Sequence, residues 1–326
     1  MAEIIACLAR GKLLLLCPGH PAEPLVTPLL ERLGTGALEP AATRVIGISR
    51  GRRDGELCYA IQEQGATSVY AVTLGTRQEK RLFRGVAANF SEIHLSVADE
   101  ALACTVSGER DASWLGVLAD DGKGLRTVTE GDVIDRSPRW APGGRAELVY
   151  ASAGIGRARS GAWAGRSPFA LHRLRFADNS VEVLVSDAKY DYFAPVPVSP
   201  ALLYAVRRSY QPPRARPLVA RIAQFFAGGR GRPSATDSAA IGSGELVRIT
   251  PQRSQVVATD VVAFDAVGGV LVYANGAAVL RAEGEQATQF EVVGELAGVE
   301  ELVIVPAGEL PTRPSLSVKR AVEQPD

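Results

Sequence analysis

Histidine is scarce in this chain, with three in 326 residues: His20, His94 and His172. None stands in an H-x-x-x-H or H-E-x-x-H spacing, and the four cysteines, Cys7, Cys17, Cys58 and Cys104, make no C-x-x-C pair. A zinc site therefore has no support. Charge of one sign is lacking too: 36 basic residues balance 36 acidic ones, so no global field draws the chain to nucleic acid. No apolar run approaches the roughly 18 residues of a membrane-spanning helix. Arg10 and Lys12 interrupt the early apolar residues, and no basic segment followed by a long apolar one reads as an export signal. The cysteines sit in apolar, strand-like surroundings, which fits buried free thiols in a reducing compartment. The expectation is a soluble cytoplasmic protein.

Cofactor motifs are missing as well. Gly154-Ile155-Gly156 lacks the third glycine and following helix of a dinucleotide site, and no phosphate-binding glycine loop with Lys-Ser or Lys-Thr occurs. Gly47-Ile48-Ser49-Arg50-Gly51 matches Gly-x-Ser-x-Gly, but a polar turn and a strand follow Ser49 where a nucleophile elbow requires a helix. No cofactor is expected.

What the chain does have is a returning phrase. Leu57-Cys58-Tyr59-Ala60, Leu102-Ala103-Cys104-Thr105, Leu148-Val149-Tyr150-Ala151, Leu202-Leu203-Tyr204-Ala205 and Leu271-Val272-Tyr273-Ala274 are five copies, the first three about 45 residues apart. Around each copy, apolar and polar residues alternate in short runs separated by glycine or aspartate turns, as in hairpin-connected antiparallel strands. Four short strands per repeat of that period is the layout of a β-propeller blade. Ile4–Ala9 and Leu13–Cys17 are expected to pair with Glu301–Val305, closing the ring with strands from both ends and removing free sheet edges. The expected fold class is all-β: one propeller over residues 1–326, six blades by count with five or seven left open, and a short helical insertion.

The stretch Ser137-Pro138-Arg139-Trp140-Ala141-Pro142-Gly143-Gly144, followed by Glu147-Leu148-Val149-Tyr150, resembles the motif of TolB-like, WD-like propeller repeats. Ile48-Ser49 with Asp54-Gly55, Ala194–Pro200, and Asp265–Gly269 are looser versions before their own copies. The resemblance implies a propeller and leaves function open, because propellers serve as scaffolds, receptors and enzymes. TolB-like proteins carry an extra N-terminal domain and an export signal, and neither is visible in this sequence. In the motif, Trp140 reads as a core residue between blades.

Three segments depart from the repeat. Residues 209–244 lengthen the gap between the fourth and fifth copies. Within them Leu218, Ile222 and Phe225, with Phe226 beside them, recur at helical spacing behind Pro217, and a Gly/Ser/Ala-rich stretch follows. Residues 211–236 hold Arg214, Arg216, Arg221, Arg230 and Arg232 and no acid. A basic amphipathic helix of this kind docks on a protein partner, makes weak contact with an anionic membrane through 214–232, or simply covers the propeller face. The Ile155–Pro168 loop presents Trp163 with Arg157, Arg159 and Arg166, a composition enriched at interfaces. Glu23–Leu33 carries a helical apolar face of Leu25, Val26, Leu29, Leu30 and Leu33, interrupted early by Pro24 and Pro28, and reads as packed on one end of the first blade.

The functional expectation is a non-enzymatic protein-interaction scaffold. Its contacts are Arg214, Arg216, Leu218, Arg221, Ile222, Phe225 and Phe226 in the insertion, and Arg157, Arg159, Trp163 and Arg166 in the loop. The alternative is a carbohydrate-binding or carbohydrate-active propeller using acids at the channel mouth. Asp132, Asp135, Asp187 and Asp191 are placed near blade entries, where such acids would lie. His94 and His172 read as structural.

Overall fold

The computed structural model describes residues 3–34, 43–63, 66–86, 89–96, 98, 100–119, 124–143, 146–212, 243–284 and 289–306. Almost all of it is strand. The first sheet has the order β25-β1-β2-β3, from β1 (Glu3–Ala9), β2 (Lys12–Leu16), β3 (Glu23–Pro24) and β25 (Val299–Pro306). β4 (Thr43–Arg50), β5 (Glu56–Glu63), β6 (Ala66–Thr73) and β7 (Gln78–Val86) make the second, in chain order. β8 (Phe90–Leu95), β9 (Ala101–Ser107), β10 (Ser113–Ala119) and β11 (Leu125–Thr127) make the third. β12 (Val133–Trp140), β13 (Glu147–Arg157), β15 (Ala170–Arg175) and β16 (Ser180–Val185) make the fourth, with β14 (Trp163–Arg166) paired on an extension of β13. One parallel bridge, Ser113 to Ile134, joins these two sheets into a continuous nine-stranded one. β17 (Tyr190–Ser199), β18 (Leu202–Ser209), β19 (Gly244–Ile249) and β20 (Ser254–Val261) form the fifth, and β21 (Ala263–Val267), β22 (Val270–Ala274), β23 (Ala278–Glu283) and β24 (Glu291–Glu295) the sixth.

The terminal pairing read from the sequence is present. β1 lies antiparallel to β25, Ile5 opposite Ile304 and Cys7 opposite Leu302, and pairs on its other side with β2, Cys7 opposite Leu14. The leading strands β25, β4, β8, β12, β17 and β21 touch one another in that order, and β21 touches β25.

Each copy of the repeated phrase is the second strand of its sheet and is packed on both faces, which is why it is continuously apolar. Leu57 and Tyr59 face the first sheet with Ile4, Leu13 and Val303, while Cys58 and Ala60 face the third with Phe90, Ile93 and Leu102. Leu148 and Tyr150 face back to Ala103 and Leu115; Val149 and Ala151 face forward to Tyr192 and Phe193. The fourth copy is out of phase. Leu203 and Ala205 face back, and Leu202 and Tyr204 face forward. Bulges in β17 between Phe193 and Val196 and between Pro197 and Ser199 accompany this one-residue slip, which exchanges the faces of a strand.

The Glu23–Leu33 helix is shorter than its apolar spacing implies. Glu23 and Pro24 form β3, pairing with Leu15 and Leu14, and α1 runs only Pro28–Gly34. Pro24 has no N–H for a helix interior, whereas Pro28 suits the first helical position. The Thr27 hydroxyl caps α1 by accepting from Leu30 N–H at 3.2 Å. Leu25 and Leu29 still reach the core between the first two sheets. Residues 213–242, including Arg214, Arg216, Leu218, Arg221, Ile222, Phe225 and Phe226, lie outside the described residues.

Candidate functional site

The leading strands carry an acid near their start. Glu92, Asp135, Asp265 and Glu301 are third in β8, β12, β21 and β25, and Asp191 is second in β17; β4 has Val45 at this place. Most of these carboxylates reach a backbone N–H on another strand. Asp265 Oδ2 accepts from Ile304 N–H at 3.0 Å, joining β21 to β25. Glu301 Oε2 accepts from Ile48 N–H at 2.9 Å, joining β25 to β4. Glu92 Oε2 accepts from Ser137 N–H and from the Thr105 hydroxyl, both at 2.7 Å, joining β8 to β12. Neutral side chains repeat the device. Ser49 Oγ accepts from Leu95 N–H at 3.0 Å, and His94 Nδ1 accepts from Trp140 N–H at 3.1 Å.

The bulges make room for this. β8 is irregular between Ser91 and His94, and β12 between Arg136 and Arg139. Glu92 and Ser137 each take a positive φ, 52° in both, outside the region favoured by side-chain-bearing residues. The re-aimed strand turns the Glu92 carboxylate toward Ser137 N–H, which is the use bulges commonly serve.

Electrostatics separate the two glutamates. Burial works against ionised Glu92, but Arg136 beside it and the bonds from Thr105 and Ser137 prevail and hold it below the usual carboxylate range. Glu301 goes the other way. Burial raises it from 4.5 to about 7, Arg139 and Ile48 N–H offset part of this, and Glu92 and Asp265 add repulsion. Burial, then the positive charges of Arg139 and Arg50, push His94 well below its ordinary range, so it stays neutral and accepts from Trp140. Arg50 Nη2 lies 3.6 Å from Asp265 Oδ1.

The residues singled out in the sequence fall into distinct places. Ser49 is fully buried and donates to Arg50 C=O at 3.1 Å while holding Leu95, a structural hydroxyl rather than a nucleophile. Trp140 is buried beside Phe176, and its indole N–H donates to His94 C=O at 3.1 Å. Arg157 binds Asp132 at 2.6 Å and Arg110 C=O at 3.0 Å. Arg166 turns inward from the hairpin. Its Nη1 and Nη2 bind Asp191 Oδ1 and Oδ2 at 2.7 and 2.9 Å, and its Cζ sits 4.6 Å from the Phe169 ring centre. Arg159 and Trp163 remain exposed at the hairpin tip. Asp187 accepts from Lys189 N–H at 2.7 Å and serves a turn. Asp135 is buried and its pKa is raised by that burial, partly offset by bonds from Ser152 and Thr129. His172 packs against Tyr150.

Sequence reading missed Glu92, Asp265 and Glu301. The signal was an acid near the start of the strand ahead of every repeat copy but the first, with Glu301 taking that place for β1. Among the described residues, no three His, Cys, Asp or Glu side chains come together as metal ligands. No helix among them is long and apolar enough to cross a membrane.

No protein-family model matches the chain, and no curated protein matches it in sequence. Solved structures do match in shape. A chain of a nidogen/laminin complex superposes with a TM-score of 0.57 at 12% identity, over 94% of this chain and 98% of that one. TolB from Acinetobacter baumannii gives 0.57 at 10% identity, over 94% of this chain and 66% of its own. A protein from Agrobacterium tumefaciens described as a TolB gives 0.53 at 12% identity, over 93% and 97%. The fold is that of a TolB-like β-propeller. Identities this low speak for architecture alone.

Proposed function

We propose that the chain is a six-bladed propeller, a single domain over residues 1–326 closed by β1 against β25, that works as a non-enzymatic protein-interaction scaffold. Support for six blades comes from the cyclic order of leading-strand contacts and from the apolar clusters that lie between each sheet and the next. One observation carries the scaffold reading: the inner side chains best suited to chemistry, Ser49, Glu92, His94, Asp265 and Glu301, hold backbone N–H groups across sheet boundaries. Groups engaged this way position strands.

Contacts with a protein partner come from the 209–244 insertion and from Arg159 and Trp163 at the tip of the β13–β14 hairpin. Anionic membrane contact through 214–232 is a weaker accompaniment, and nucleic acid is not a partner. The buried thiols of Cys7, Cys58 and Cys104 favour a reducing compartment such as the cytoplasm. The test is affinity capture with quantitative mass spectrometry on the wild type, on R159A/W163A and on a variant lacking residues 218–227. Both variants are expected to stay folded and to lose the same co-purifying protein. An identical set of captured proteins from all three chains refutes the scaffold reading.

One observation favours the carbohydrate alternative. Glu301, poised near neutral pH, feels the ionised Glu92, and two carboxyls pushed apart in pKa form the acid–base pair of glycan-acting sites. Binding or turnover of an oligosaccharide that E301Q abolishes would support it.

A further inference from the structure

The turn that joins β22 to β23 holds Asn275-Gly276, and its surroundings favour loss of the asparagine amide without an enzyme. The chain has three asparagines, Asn89, Asn179 and Asn275, and only Asn275 precedes a glycine. Asn275, Gly276 and Ala277 are exposed, so water reaches the turn. No acceptor for Gly276 N–H is found among the described residues. A Cβ at Gly276 would have nothing within 4 Å, and the φ of 89° there is one that residues with side chains rarely adopt. The peptide nitrogen after Asn275 is therefore unshielded, with open space in which its peptide unit can rotate over the side chain.

The side-chain carbonyl is polarised as well. Asn275 Oδ1 accepts from Ala277 N–H at 3.1 Å and from Ala278 N–H at 2.9 Å. Both partners are donors, so the atom between them is the amide oxygen and not its nitrogen. Two N–H groups on one oxygen draw electrons from Cγ, and they stabilise the negative charge that develops on that oxygen when Cγ is attacked. The other asparagines lack this combination. After Asn179, Ser180 carries a side chain and its N–H is engaged, donating to Asp178 Oδ1 at 3.0 Å. After Asn89 comes Phe90, which is buried.

We propose that Asn275 is a self-modification site, where the turn of the folded protein promotes conversion of the amide to an acid. Gly276 N attacks Asn275 Cγ and gives its proton to water. The new N–Cγ bond closes a succinimide ring, the Cγ–Nδ2 bond breaks, and Nδ2 takes a proton from water and leaves as ammonia. Water then opens the ring at either carbonyl, leaving aspartate or isoaspartate at position 275. One water is consumed for each ammonia released, and nothing is oxidised or reduced. The product puts a negative charge in the turn, and its isoaspartate form lengthens the backbone between β22 and β23. The site goes beyond the scaffold reading and does not depend on it.

The experiment incubates the purified full chain near neutral pH and follows ammonia release, peptide mass maps and isoaspartate content over time. Asn275 is expected to convert to a mixture of isoaspartate and aspartate while Asn89 and Asn179 remain amides. G276A places a Cβ beside the attacking nitrogen and should slow the conversion about tenfold or more. The same chain unfolded in urea loses the Ala277 and Ala278 donors, so Asn275 in the folded protein should convert at least as fast as in urea. If G276A does not fold, the folded and unfolded wild type carry the comparison. The proposal is overturned if Asn275 keeps its amide in the folded protein, if Asn89 or Asn179 converts as fast, or if a folded G276A converts at the wild-type rate. It is also overturned if unfolding speeds the conversion, which marks the turn as a lock rather than a promoter.

Discussion

Glu301→Gln isolates the charge at the junction of β25 and β4. The glutamine carbonyl can still accept from Ile48 N–H, so the link between β25 and β4 survives and only the titration is removed. The wild-type carboxyl is raised from 4.5 to about 7 in the folded protein, so the native state holds a proton that the unfolded chain has released between those values. The stability this proton contributes is fully present below about 4.5 and is lost as pH rises through about 7. At about 1.36 kcal/mol per tenfold change in proton affinity, the whole effect is about 3 kcal/mol. E301Q should therefore match the wild type near pH 4.5 and exceed it by about 2–3 kcal/mol at alkaline pH. Urea unfolding of both chains across this range gives the answer as a difference, in which the carboxyls not coupled to Glu301 cancel. A difference that stays flat with pH, or a wild type more stable than E301Q at alkaline pH, refutes the account of Glu301 as a buried acid crowded by Glu92 and Asp265.

Two further outcomes follow from packing and pairing. D191A leaves Arg166 and Phe169 N–H without their acceptor at a site where Asp191 is almost fully buried, so stability should fall by about 3–5 kcal/mol in urea unfolding; a loss below about 1 kcal/mol would mean the pair is effectively solvated. A Cβ at Gly116 would stand 2.6 Å from Val106 Cγ2 and 2.7 Å from Leu125 Cδ1. G116V should therefore cost about 1–3 kcal/mol or more through overpacking, read as a lowered melting temperature, and an unchanged one would show that the third sheet can repack freely.

Much of the fold was legible in the sequence because it follows from short-range rules. The alternation around Leu57, Leu148 and Leu271, the glycine and aspartate turns, and the apolar ends at Ile4–Ala9 and Glu301–Val305 each record how a strand meets its neighbours. Trp140 was readable as core for the same reason. The early helix was overdrawn at its start: Pro24 interrupts the apolar face, and only its pairing with Leu14 shows that the chain is extended there and turns helical at Pro28. The fourth copy looked regular because Leu202-Leu203-Tyr204-Ala205 is apolar in either phase, and only its packing between the neighbouring sheets shows which face each residue takes.

The candidate site depended on contacts between residues far apart in the chain. Glu301 and Ile48 are 253 positions apart, and Glu92 and Ser137 are 45 apart. Arg166 looked like an interface arginine by composition, yet Asp191 and Phe169 draw it inward. Composition and period by themselves determined that the chain builds short antiparallel strands in repeated units and which phrase returns in them, since those are set by residues a few positions apart. Which carboxylates hold the sheets together and which one carries a proton near neutrality were decided only by tertiary structure, because a side chain's partners and dielectric surroundings exist only once distant strands are in place.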